Sequence, residues 1–227
     1  MQITEIFKSI QGESSHAGLP CVFVRLTGCN LRCTWCDSEY TFQGGRKMSL
    51  EQVLDEVFLL SPDPGLVEIT GGEPMLQERD VLPLMQRLTE SGYSVLLETS
   101  GERPLHRVPP EVIKIVDVKC PDSGEGNTFC IENLEVLTPR DEVKFVLSGR
   151  ADYEFARDFI HRHSLARRVN AILLSPAFRK DATGARDSSH CLLDPQELAE
   201  WMLADNLPAR LGLQIHKFIW DPALKGV

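Results

Sequence analysis

An alternation of short apolar runs with amphipathic stretches constrains this chain more than any other feature. Val22-Phe-Val-Arg-Leu-Thr27, Leu66-Val-Glu-Ile-Thr70 and Ser94-Val-Leu-Leu-Glu98 read as strands. Val112 to Val118, Val143 to Leu147, Asn170 to Leu174 and Arg210 to Ile215 continue the series. Between them, Ser49-Leu-Glu-Gln52 is a capping box that opens a helix reaching about Leu60. Val81, Leu84, Met85 and Leu88 recur at helical spacing before Gly92. Ala151 to His163 also reads as a helix, and Asp194-Pro195-Gln196-Glu197 carries the cap, first-turn proline and acid of another helix start. Repeated strand–helix units imply an α/β fold with a parallel sheet and right-handed crossovers.

The unusual residues fall at the C-terminal ends of these strands. They are the Cys29–Cys36 loop, Gly71-Gly72-Glu73-Pro74, Glu98-Thr99-Ser100, Asp117-Val118-Lys119, Ser175-Pro176 and Gln214 to Lys217. Parallel α/β folds build their sites on that face. Any one of these could be a plain turn; six in the same topological position suggest one constellation.

In Gly28-Cys-Asn-Leu-Arg-Cys-Thr-Trp-Cys-Asp37, three cysteines stand at C-x3-C-x2-C spacing. Three thiolates from one loop suit a 4Fe-4S cluster and leave one iron open for a small molecule. A structural zinc site is the alternative, with Cys21 or His16 as fourth ligand, but no second Cys/His hook is present. Seven cysteines cannot all pair, which disfavours a disulfide framework.

The bulk of the sequence narrows the field further. At 227 residues and 42% hydrophobic, one domain over 1–227 is the default. No apolar run reaches transmembrane length and the N-terminal residues lack a targeting pattern, so a cytoplasmic, membrane-free protein is expected. A net charge of −9 argues against direct nucleic-acid binding and favours a small-molecule substrate.

The cysteine spacing with Trp35 before the last cysteine, followed by Gly71-Gly72-Glu73-Pro74 after the next strand, resembles the radical S-adenosylmethionine superfamily. A narrower resemblance covers most of the chain. Phe7-Lys-Ser-Ile-Gln-Gly-Glu13, Gly28 to Ser38, Ile69 to Pro74, Glu98-Thr-Ser-Gly101, Asp117-Val-Lys-Cys-Pro121 and Gln214-Ile-His-Lys217 are similar to the 7-carboxy-7-deazaguanine synthase family.

The resemblance implies a partial parallel β/α barrel of the radical SAM type, in which Cys29, Cys33 and Cys36 hold the cluster. It implies a lyase that contracts the ring of 6-carboxy-5,6,7,8-tetrahydropterin and releases ammonia, with magnesium, in queuosine biosynthesis. Ile10, Gln11 and Gly12 would line the pterin, Arg25 would meet its carboxylate, and Thr70 and Val227 would touch substrate. Ser38 would contact magnesium where the family typically has Thr. Gly72, Ser100, Asp117, Val118, Lys119 and Ser175 would meet S-adenosylmethionine. Some family members carry Gln where this chain has Ser175, and several residues follow Lys217 here. A homodimer and a flavodoxin- or ferredoxin-type electron donor are further expectations.

Plainer readings stand beside these. Arg25 could face solvent, Gln11 and Glu13 could belong to a polar loop, and Ser38 could be a helix cap or turn. Cys21, Cys120, Cys130 and Cys191 are expected to be buried as small hydrophobes. Pro176 to Leu193 is polar and rich in breakers, and is expected to form a mobile lid. A glycyl-radical activating enzyme and a zinc-stabilised binding module are the rival functions.

Overall fold

The computed structural model describes residues 1–184 and 186–227. Its backbone is one nine-stranded sheet with the order β3-β1-β2-β4-β5-β6-β7-β8-β9. Here β1 is Gln2–Ile10, β2 Pro20–Leu26, β3 Arg46–Lys47, β4 Leu66–Gly71 and β5 Ser94–Thr99. The series ends with β6 Ile113–Asp117, β7 Glu142–Leu147, β8 Ala171–Pro176 and β9 Arg210–Leu211. From β2 to β9 every pairing is parallel. β1 runs antiparallel to both β2 and β3. The sheet has two free ends and does not close, the form of a partial barrel.

Four helices carry the crossovers: α1 Leu50–Leu60, α2 Glu78–Glu90, α3 Arg150–Arg162 and α4 Pro195–Ala204. The capping box of α1 forms as its sequence dictates. Ser49 Oγ accepts from the Gln52 N–H, and the Gln52 side chain accepts from the Ser49 N–H. Asp194 caps α4 with a single bond, its carboxylate accepting from the Gln196 N–H. The links from β5 to β6 and from β6 to β7 hold loops and 3-10 turns instead of helices, where the sequence rhythm loosens.

Strand alternation separates two faces. Val24, Ile69, Leu97, Val116 and Phe145 point outward and pack with Val57, Leu88 and Phe159 of the helices. Cys21, Phe23, Leu66, Leu96 and Ile115 point inward and make a small apolar floor. Phe7 stacks on Phe23 there, with ring centroids 5.0 Å apart.

Two expectations about elements need correction. The last strand holds only Arg210–Leu211, not Arg210 to Ile215. Gly212 still donates to the Leu174 carbonyl, but the chain then turns inward and enters a short helix, α5, at His216–Ile219. The chain also has β1, Gln2–Ile10, over which the sequence pattern assigns no element. Its alternation is broken by a register shift between Ile3 and Glu5, so no clean two-residue period marks it. Cys21 and Cys120 are buried as expected, but Cys130 and Cys191 are only partly so.

The two ends of the segment expected to form a lid are paired with each other. Phe178 bridges Cys191 in antiparallel fashion, and Leu192 donates to the Ala177 carbonyl at 2.7 Å. Ala185, inside the expected lid, lies outside the described residues. No helix among the described residues is long and apolar enough to cross a membrane.

Candidate active site

The inner face of the sheet encloses a cavity of about 410 Å³. Because inward residues recur every second position, each strand contributes a column that rises from the apolar floor. Above Leu66 in β4 come Glu68 and Thr70; above Leu96 in β5 come Glu98 and Ser100. β6 adds Asp117 with Lys119 just beyond it, and β7 adds Lys144. The middle layer is therefore charged. In β2 the column ends at Arg25, in register with Thr70.

Cys29, Cys33 and Cys36 lie on the loop after β2, all unpaired, half-buried and facing this cavity. Other groups hold the loop. Gly28 donates to the Thr41 carbonyl at 2.7 Å, Arg32 N–H donates to Glu125 at 2.6 Å, and Thr34 N–H donates to the Ser123 carbonyl at 2.9 Å. The Arg32 guanidinium also sits over the Phe42 ring. The sulfurs of Cys29 and Cys33 take no part in holding the loop, and that of Cys36 meets only the Ser38 hydroxyl, at 3.7 Å. Burial pushes the Cys33 thiol up to about 11 and raises Cys29 as well. Among the described residues no three Cys, His, Asp or Glu side chains converge as ligands of a single metal ion. Cys21 is in the floor and neither it nor His16 lines the cavity, so neither completes a zinc site with the loop. Three thiols spread around one mouth suit a polynuclear cluster, whose irons each take one sulfur.

The glycine pair serves the loop in a way the sequence did not reveal. Gly71 has φ +152°, and a Cβ there would fall 2.4 Å from the Leu26 carbonyl oxygen. At Gly72 it would fall 2.3 Å from the Gly28 carbonyl oxygen and 2.7 Å from Cys29 Cβ. The turn after β4 is thus pressed against the cysteine loop, which only glycine allows. Glu73 then fastens it sideways. Its fully buried carboxylate accepts from Thr99 Oγ1 at 2.7 Å, Ser100 N–H at 2.9 Å, Ser100 Oγ at 2.7 Å and Met75 N–H at 2.9 Å. Burial raises the Glu73 carboxyl, and these four donors oppose the rise.

A polar chain runs beneath and around the site. Lys144 Nζ donates to Glu13 at 2.5 Å and to Glu98, and Asp117 is 3.7 Å away. Lys119 pairs with Asp117 at 2.8 Å. Glu13 accepts from the Gln214 amide at 2.7 Å, and Lys217 Nζ reaches both Gln214 at 2.9 Å and Asp37 at 2.6 Å. Burial alone would raise Glu13, but Lys144 and His216 outweigh it and hold the carboxyl down at about 2. Asp37, half of whose side chain is exposed, is held well below the carboxylate range by Lys217. The C-terminal segment is thereby tied to the cysteine loop and to the residues after β1. Ile215 donates to the Gly12 carbonyl at 2.9 Å, and the His216 ring lies where a Gly12 Cβ would be.

Most of the expected site residues gather in this cavity. Ile10, Gln11, Gly12, Arg25, Ser38, Thr70, Gly72, Ser100, Asp117, Lys119 and Val227 all line it. Gln11 is not a loop residue facing solvent: its amide donates to Glu68 at 2.6 Å and its oxygen accepts from Glu13 N–H at 2.5 Å. Arg25 gives only Nε to Glu5, at 2.8 Å, and Glu5 also takes the Tyr40 hydroxyl at 2.7 Å. The two terminal nitrogens of Arg25 have no protein partner among the described residues. Ser38 stands at the N-cap position of a 3-10 turn, Glu39–Thr41, but its hydroxyl makes no capping bond.

Two expected residues do not line the cavity. Val118 turns its side chain into the outer core and donates its N–H to the Lys144 carbonyl, as strand alternation after Asp117 requires. Ser175 is 2% exposed and covered by the segment after β9; a Cβ on Gly212 would lie 2.9 Å from its hydroxyl. Glu68, Lys144 and Asp37 were missed. For Glu68 and Lys144 the available signal was a charge embedded in an apolar strand run.

Residues 23–118 match the model of the Radical SAM superfamily. Over all 227 residues the chain is 67% identical to the 7-carboxy-7-deazaguanine synthase of Koribacter versatilis (strain Ellin345), with the whole of both chains aligned. This chain belongs to the 7-carboxy-7-deazaguanine synthase family. The family's Chlorobaculum tepidum member is 41% identical, aligned over all of this chain and 97% of its own. The crystal structure of QueE from Escherichia coli superposes with a TM-score of 0.66 at 27% identity, covering 93% of this chain and 92% of that one. Membership makes the chain a radical SAM enzyme and sets aside both the zinc module and the glycyl-radical activating enzyme.

The residues present fit the cofactors that the superfamily and family imply, a 4Fe-4S cluster, S-adenosylmethionine and magnesium. Three soft thiols face the cavity. Asp117 Oδ1 is buried without a hydrogen-bond partner, an acceptor that an amine or ribose hydroxyl would satisfy. Ser38 has a hydroxyl oxygen that makes no capping bond and is of the kind a hard cation takes.

Proposed function

We propose that this chain converts 6-carboxy-5,6,7,8-tetrahydropterin to 7-carboxy-7-deazaguanine with loss of ammonia, a step in queuosine and 7-deazapurine biosynthesis. The observation that carries this reading is the 67% identity to a 7-carboxy-7-deazaguanine synthase over the full chain. The whole chain, 1–227, acts as one catalytic unit.

Cys29, Cys33 and Cys36 would hold the cluster and Ser38 the magnesium, while Gly72, Ser100, Asp117 and Lys119 would contact S-adenosylmethionine. When bound, these groups supply a hydrogen-abstracting radical and a positive charge beside the substrate carboxylate. The chain's own residues bind and orient. Arg25 presents a guanidinium whose plane is fixed by Glu5, so its free edge suits bidentate capture of the pterin carboxylate. Thr70 stands next to it across the strands. Ile10, Gln11 and Gly12 wall the pterin, and Gln11 does so with a side chain already locked by Glu68. Glu73 keeps the Gly71-Gly72 and Thr99-Ser100 turns in one frame, so the cofactor side of the cavity is preorganised.

The enzyme works on a free pterin with a low-potential electron donor of the flavodoxin or ferredoxin type, as a cytoplasmic homodimer, without membrane or nucleic acid. Anaerobic incubation of the reconstituted protein with the carboxypterin, with and without magnesium, tests the reading. It expects deazaguanine absorbance that rises faster with magnesium; a fully loaded protein that forms none overturns it.

A further inference from the structure

The charged layer of the cavity holds more carboxylates than cations. Glu13, Glu68, Glu98 and Asp117 face Lys144 and Lys119. Lys119 pairs with Asp117, and Lys144 pairs with Glu13 and Glu98. Glu68 has no cationic partner among the described residues. Its one donor is the Gln11 amide, 2.6 Å from Oε2.

Glu68 and Glu98 are diagonal neighbours on the inner face. Glu68 pairs with Leu96 across β4 and β5, and Glu98 lies two residues further along. Lys144 is taken by Glu13 and Glu98, and Lys119 by Asp117, so no lysine is left for Glu68. A negative charge on a carboxyl group 2% exposed, beside other carboxylates and without a cation of its own, costs more than keeping a proton there.

We infer that Glu68 keeps its proton in the folded chain, which makes it a positioning residue and leaves the charged layer of the cavity with one negative charge fewer. Its bearing on catalysis rests on the pterin occupying this cavity. Lys144 holds Glu98, and the pterin ring meets a neutral carboxyl group at Glu68 beside it instead of two repelling anions. The other charged or titratable groups around the pair are Glu13 from the loop after β1, Cys21 and Arg25 from β2, Asp117 from β6, Lys144 from β7 and His216 from α5. Burial first, and then the Glu98 charge, push Glu68 well above the usual carboxyl value of 4.5, while Gln11 only partly opposes them. Lys144 pulls the partly buried Glu13 down, which places the proton away from it.

The inference predicts a pH signature. Glu68 stays protonated in the folded chain and ionises in the unfolded chain above 4.5, so the folded state binds more protons. Stability must then fall as pH rises from that value toward the folded pKa. Glu68→Gln supplies a permanent donor of the same shape and removes this loss.

Three measurements test it. Infrared spectra of the ligand-free wild type at neutral pH should show a protonated-carboxyl band that Glu68→Gln lacks. Glu68→Gln should melt higher than the wild type at neutral and alkaline pH, with the gain vanishing near the ordinary carboxyl pKa. In equilibrium dialysis against 6-carboxytetrahydropterin without reductant, wild-type affinity should fall as pH rises. Glu68→Gln should lose that slope and bind roughly tenfold tighter than Glu68→Ala. No such band in the wild type, or a Glu68→Gln protein no more stable at neutral pH, would show Glu68 ionised and overturn the inference. If Glu68→Gln does not fold, the band recorded in Glu73→Gln decides, since that change removes the other carboxyl group that burial raises. Band and melting shift as expected, but no pterin binding by the wild type, would leave the proton on Glu68 standing and remove both its role here and the pterin reading.

Discussion

Arg25 shows what one side chain can contribute here. Its Nε is bonded to Glu5, and its terminal nitrogens are uncommitted. Lysine at this position keeps the charge but loses the fork. Arg25→Lys should raise KM for the pterin roughly tenfold to a hundredfold, the equivalent of about 1.5–3 kcal/mol for a charge-assisted bond, with kcat much less affected. A KM within a factor of about two of wild type would remove Arg25 from the carboxylate site. Glu73 acts differently. Glu73→Ala strands the buried donors of Thr99 and Ser100, and should cost about 3 kcal/mol in denaturant unfolding. An unfolding free energy unchanged by Glu73→Ala would contradict its role as the fastener of two turns. Residue identity made the cysteines legible from the sequence, because their spacing is local. The Lys217–Asp37 bond was not legible, since its partners lie 180 positions apart and neither has a local signature.

Helix α1 is an element whose start the sequence specified completely. Ser49 and Gln52 satisfy each other's orphan backbone groups, so Ser49→Ala should destabilise the protein by about 1 kcal/mol. Strand β1 was illegible for the opposite reason: its register shift hides the alternation, and only pairing with β2 defines it. The last strand failed because an apolar pattern continues to Ile215 while the backbone leaves the sheet after Leu211. For Ser175, strand position alone suggested the cavity, but a later segment covers it. The lid segment remains an element-scale prediction. Amide exchange over residues 177–193 should be faster than in β8 without ligand and should slow when S-adenosylmethionine and pterin bind. Uniformly slow exchange in the free protein would contradict a lid.

The whole molecule reads as an outer hydrophobic shell around a charged interior. That interior sets its response to acid. Glu13 is held at about 2 although burial works the other way, and its folded pKa is therefore depressed from 4.5. Its contribution to stability is present above that ordinary value and is lost as pH falls through the folded one; Asp37 acts in the same sense. Urea unfolding should show stability dropping below the ordinary carboxyl range, with a shallower drop in Glu13→Gln. The parallel arrangement was legible at this scale from the strand–helix rhythm, and so was the face that carries the site. The charged layer above the apolar floor was not, because its members are single charges inside apolar runs and meet only when the strands are set in register.

The central claim is that three cysteines of one loop and a carboxylate-binding cavity together perform one ring contraction. Anaerobic turnover of 6-carboxytetrahydropterin by the reconstituted wild type and by Cys33→Ala, reading deazaguanine and ammonia together, tests it most directly. The wild type should release ammonia in step with 7-carboxy-7-deazaguanine, and Cys33→Ala should bind less iron and form neither product. Full turnover by Cys33→Ala, or a cluster-loaded wild type that leaves the pterin unchanged, would contradict it.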